Sequence, residues 1–102
     1  MPQDKIRTEL VERLLTAFAH AQDEEQVYAL LQDLCTVREI ADMSQRLEVA
    51  RLLAAKTSYL DIQELTGASA TTISRVSKCL NYGTGGYGAA LAALAGARQE
   101  GE

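Results

Sequence analysis

Residues 66–83, TGASATTISRVSKCLNYG, place hydroxyl and cationic side chains at close spacing with no carboxylate among them. On a helix, Thr71, Ser74, Arg75 and Lys78 share one face, three or four positions apart, opposite Ile73, Val76 and Leu80. Without a general base or an activated nucleophile nearby, this set does not suit catalysis. It suits hydrogen bonding to phosphate oxygens and base edges. A helix about 11 Å across fits the DNA major groove, where Ser and Thr reach base edges and Ala or Thr methyls meet the thymine methyl. The amides at the helix start, Ser69 to Thr72, favour a phosphate. A DNA-reading surface is therefore expected at Ser69, Ala70, Thr71, Thr72, Ser74, Arg75 and Lys78.

Such a surface needs a scaffold, and residues 58–80 have the layout of a helix-turn-helix. Ser58 caps a helix over residues 59–66 by accepting an amide from Leu60 or Asp61. Gly67 allows the left-handed corner, Ser69 caps the second helix, and that helix runs to about Tyr82. Ile62, Ala68, Ile73 and Val76 sit where two steeply crossed helices press their apolar sides together.

The preceding residues read as more helices. From Lys5, apolar residues recur at Ile6, Leu10, Leu14 and Phe18, and Val11, Leu15 and Ala17 widen the stripe to two sides. Asp23 with Gln26 forms a capping box ahead of Val27, Leu30, Leu31 and Leu34. Thr36 with Glu39 repeats the box for a short helix over residues 37–43, and Ser44 is expected to cap another that runs through Lys56. After the second reading helix, GTGGYG (83–88) reads as a flexible link and residues 89–99 as a short Ala-Leu helix. Tyr82 and Tyr87 flank the link as candidate anchors of the tail, with no chemical task assigned. These elements predict an all-α chain: one helical domain over residues 1–82, then a link and a short helix or tail over 83–102.

Charge supports the placement of the surface. The chain carries a net charge of −4, yet residues 44–82 are net positive and no carboxylate lies between Leu65 and Gln99. Cys35 and Cys79 are too few and too distant in sequence for a disulfide framework or zinc site, and both are expected as small core residues. His20 has no partner at catalytic or ligand spacing and falls at a helix end, where capping is its expected role. No metal, cofactor or catalytic set is expected. No apolar run approaches the roughly 20 residues that cross a bilayer, and MPQDKIRTEL lacks the order of a secretory signal. A cytoplasmic location follows as the expectation.

The stretches LCTVREIADMSQRLEVARLL (34–53) and TGASATTISRVSKCLNYG (66–83) go further than periodicity, because over roughly residues 4–91 the chain resembles the Trp repressor superfamily, and more closely its YerC/YecD-type branch. The resemblance implies an intertwined homodimer of about six helices per chain, with interlocked amino-terminal helices and two reading heads for a two-fold symmetric operator. A dimer also suits the energetics. One reading helix with two cations makes few phosphate contacts, whereas two tethered heads spaced near one DNA turn multiply affinity. The two-sided stripe on the first helix agrees with a partner subunit.

The resemblance also implies an effector site. In the tryptophan-sensing relatives two arginines flank the bound ring, and those positions match Arg46 and Arg75, with Thr36 matching a pocket threonine. Two departures argue against tryptophan here: Val76 stands where the sensor has glycine, and Cys79 where it has a serine. An effector, if one is bound at Thr36, Arg46, Arg75, Val76 and Cys79, is expected to be a different small molecule. Basic residues on the sensor's first motif helix are Leu60 and Gln63 here, so the operator is expected to differ, and Leu60 to be exposed. Tyr59 is placed either on the DNA backbone or against Arg51 or the domain core. The competing function is a dimeric helical interaction module that docks a protein and binds no DNA.

Overall fold

A computed structural model describes residues 5–100 as six α-helices, with no strand among them. They are α1 (Glu9–Ala19), α2 (Glu24–Leu34), α3 (Val37–Ala54), α4 (Tyr59–Thr66), α5 (Ala70–Tyr82) and α6 (Gly86–Glu100). The chain forms two compact units whose boundary falls between Ile40 and Ala41, inside α3. Among the described residues no helix is long and apolar enough to cross a membrane.

The first unit contains α1 and α2. Thr8 starts α1 by accepting the Val11 amide, so Ile6 lies outside the helix and not at the head of its stripe. At α2, Asp23 accepts the Gln26 amide at 2.9 Å, while the Gln26 side chain takes the Gln22 amide, one residue earlier than in the usual box. His20 closes α1 as its C-cap, with Nδ1 2.9 Å from the Thr16 carbonyl oxygen. Neither α1 nor α2 buries a single side chain within this chain, and Leu10 is 72% exposed.

Helix α3 replaces the two helices expected over residues 37–56. Its start is as read: Thr36 and Glu39 cap each other reciprocally at 3.0 and 2.8 Å. Ser44 then lies inside the helix, which runs through it without a break. The reason is that residues 38–53 contain neither Gly nor Pro, and a serine in a helix interior costs only about half a kcal/mol, less than breaking the backbone ladder. The helix ends before Lys56, which adopts φ 67° while the amides of Lys56 and Thr57 bond back to the carbonyls of Leu53 and Leu52. That pair of bonds is a Schellman closure made without glycine.

The core lies in the second unit. Val49, Ala50 and Leu52 of α3, Ile62 of α4, Ala68 of the corner, and Ile73 and Val76 of α5 form one buried cluster. Leu53 of α3 and Tyr87 and Leu91 of α6 pack on it. The crossing of α4 on α5 uses Ile62, Ala68, Ile73 and Val76 as expected for a helix-turn-helix, and Leu80 is half-buried. Gly67 makes the corner at φ 74°. Helix α6 starts at Gly86, three residues earlier than the Ala-Leu pattern suggests, so half of the expected link is helical.

Candidate nucleic-acid interface and the adjoining crevice

Helix α5 opens with Ser69, whose hydroxyl accepts the Thr72 amide and donates to the Thr72 hydroxyl, both at 3.1 Å. Those two side chains are occupied with each other, and Thr72 is half-buried. Ala70, Thr71, Ser74, Arg75 and Lys78 are all exposed. Thr71 and Ser74 have no side-chain hydrogen-bond partner, and Arg75 and Lys78 no ion pair, among the described residues. The face is thus a row of uncommitted donors and uncompensated positive charge, set on a helix whose other side is anchored by Ile73 and Val76. Arg51, by contrast, is committed. It holds both oxygens of Glu48 at 2.8 and 2.6 Å, and this bond keeps the Glu48 carboxyl below the usual carboxylate range.

The motif is braced from behind. Gln45 of α3 donates to the carbonyl oxygen of Thr66 at 3.0 Å, and the Thr66 hydroxyl donates to Ile62 and accepts the Ala68 amide. These bonds satisfy the end of α4 and hold the corner that aims α5. Leu60 is exposed as expected, at 74%, and Tyr59 is exposed on the same helix.

Beside α5 lies a crevice. Arg46, Arg75, Val76, Cys79 and Tyr87 line a cavity of about 200 Å³. A larger and mostly apolar one of about 480 Å³ adjoins it, sharing Cys79 and Tyr87 and adding Leu47, Thr84 and Ala90. Four of the five residues expected at an effector site are therefore brought together. The fifth, Thr36, is not among the lining residues; it is the capping residue of α3 in the other unit. Cys79 is exposed and Cys35 half-buried, so neither is the core residue expected. Position 79 is off the Ile73–Val76 side of α5 and faces the crevice. Tyr82 is 86% exposed and anchors nothing, whereas Tyr87 is half-buried against the core. Among the described residues no three His, Cys, Asp or Glu side chains gather as metal ligands would.

Gln45 is not legible in the sequence, because a polar residue on a helix face gives no periodic signal. Tyr87 packs on the core as the tail anchor expected of it, but its place in the crevice gives no signal inside a glycine-rich stretch that reads as a link.

Comparison with known proteins fixes the class. The sequence profile of the Trp repressor protein family matches residues 9–95, and the chain belongs to that family. It is 45% identical over 91 residues to the uncharacterized protein YerC of Bacillus subtilis (strain 168), covering 89% of this chain and 88% of YerC. A TrpR-like protein from Eubacterium eligens ATCC 27750 shares the fold with a TM-score of 0.85 and 44% identity, covering 91% of this chain and 96% of that one. A Staphylococcus aureus protein proposed to be a Trp repressor matches with a TM-score of 0.83 and 36% identity, over 92% and 94% of the two chains. The fold is thus all-α and Trp-repressor-like, and the family suggests a DNA-binding regulator.

Proposed function

We propose that this protein is a sequence-specific DNA-binding transcriptional regulator, acting as a repressor and as a homodimer on a two-fold symmetric operator. The observation that carries this is the exposed, carboxylate-free face of α5, where Thr71, Ser74, Arg75 and Lys78 stand without partners among the described residues on an anchored helix. Thr71 and Ser74 read base edges; Arg75 and Lys78 hold phosphates or a guanine edge. Ser69, Ala70 and Thr72 bring the helix start against the backbone. The dimer is supported by α1 and α2, which leave Leu10, Leu14, Leu15 and Leu34 exposed in the single chain. An obligate partner covers that apolar surface. The site of action is the cytoplasm, and no catalytic step is involved.

Arg46, Arg75, Val76 and Cys79 give the crevice a place for a small effector other than tryptophan. Val76 and Cys79 there replace a small residue and a hydroxyl donor, which works against an indole with a charged amino-acid head.

Selection of bound duplexes from a random pool tests the function. Enrichment of an inverted repeat, with a changed half-site for Thr71→Ala, supports it; recovery of unenriched sequence refutes it. A second reading, a dimer that docks a protein through the same motif, is favoured by exposed Leu60 and Leu65 on α4. Salt separates the two, because DNA binding weakens steeply with ionic strength and an apolar contact does not.

A further inference from the structure

Tyr87 lines both cavities of the crevice, the Arg46–Arg75 one and the larger apolar one, and is half-buried while every other described residue in 81–89 is exposed. Its ring packs on the cluster formed by α3, α4 and α5, so it touches the scaffold that the reading helix rests on. The residues it shares with the cavities come from α3 (Arg46, Leu47) and α5 (Val76, Cys79), which places the ring where those two helices part.

The chain delivers Tyr87 to that place by a sharp exit from α5. A Cβ on Gly83 would lie 2.3 Å from the Cys79 carbonyl oxygen, a backbone atom that cannot yield cheaply. Only glycine lets the chain leave α5 so tightly and return α6 onto it.

We propose that Tyr87 is a positioning residue: its ring is a built-in wedge between α3 and α5 that fixes the attitude of the reading helix. This rests on the proposed DNA-binding function. A wedge of this kind acts as a permanently bound aromatic ligand would, ordering the crevice before DNA arrives so that the duplex meets a preorganised α5. The phenol hydroxyl is secondary, since the packing of the ring does the positioning. Removing the ring joins two cavities into one and frees α5 to tilt.

The test uses the full chain with Tyr87→Ala, Tyr87→Phe, Tyr87→Leu and Leu91→Ala, and p-cresol as the probe. Leu91 packs on the same cluster from α6 but lines neither cavity, so it reports loosening of α6 alone. Tyr87→Ala is expected to weaken duplex binding about tenfold, in the range typical of coupling between sites. Millimolar p-cresol should restore most of it, and should do nothing for wild type or Leu91→Ala. Tyr87→Phe should bind as wild type does. If Tyr87→Ala does not fold, Tyr87→Leu takes its place, with a smaller loss and the same rescue.

Unchanged duplex affinity in the Ala and Leu variants, or a loss that p-cresol leaves untouched, overturns the wedge. Should wild type bind no duplex, the proposed function fails instead. The wedge is then judged by the amide resonances of α5: shifts in Tyr87→Ala that p-cresol reverses keep it, and resonances that neither change moves refute it.

Discussion

The Gln45 amide donates to the Thr66 carbonyl oxygen at 3.0 Å, tying the middle of α3 to the last residue of α4 across 21 positions of sequence. This bond fixes the corner from which α5 departs, because the Thr66 hydroxyl in turn accepts the Ala68 amide. Gln45→Ala leaves a partly buried carbonyl without its donor. The expected loss is about 1 kcal/mol, which lowers the melting temperature by about 4–8 °C for a domain of this size. Thermal unfolding at matched protein concentration checks it, since the stability of the proposed dimer depends on concentration.

Two left-handed residues predict opposite outcomes. Gly67 has φ 74° with open space around a would-be Cβ, so Gly67→Ala suffers backbone strain alone, about 1–2 kcal/mol. Lys56 has φ 67° and already bears that strain at the end of α3. Lys56→Gly should relieve it and stabilise the fold by up to about 1 kcal/mol, after the entropy glycine adds to the unfolded chain. Urea unfolding of both variants gives the two signs.

Much of this architecture was legible because its signals are local. Ser58, Ser69 and the Thr36–Glu39 pair are capping residues that act within four positions of themselves, and Gly67 declares the corner. The face of α5 could be drawn from spacing alone, and Ile62, Ala68, Ile73 and Val76 were identifiable as the apolar side. Ser44 misled because serine at a helix start and serine inside a helix look the same in sequence. The end of α3 was misplaced because Lys56 does the work usually given to glycine. Cys79 and Tyr87 owe their places to the return of α6 onto α5, a non-local contact that no periodicity encodes.

The exposed stripe of α1 predicts an assembly. Leu10→Asp combined with Leu14→Asp puts two carboxylates on a surface with no cover in the single chain. Sedimentation at micromolar concentration should show wild type as a dimer and the double variant as a monomer or unfolded chain. A folded wild-type monomer would remove the two-headed geometry.

The crevice predicts a negative result for one ligand. Val76 and Cys79 line it with Arg46 and Arg75, and they offer a branched apolar side chain and a thiol but no hydroxyl donor for tryptophan. Calorimetric titration with tryptophan should give no heat beyond dilution. Micromolar affinity would overturn the exclusion of tryptophan.

DNA binding through the α5 face is tested most directly by the salt dependence of binding to the selected duplex. Each phosphate contact contributes about 0.9 to the slope of log affinity against log salt, so Lys78→Ala, removing one per subunit, should lower the slope of a dimer by about 2. Wild type should bind steeply less well as salt rises, Lys78→Ala should follow a shallower line, and Arg75→Ala with Lys78→Ala should lose retention. A salt-independent affinity, or full retention by that double variant, would contradict it.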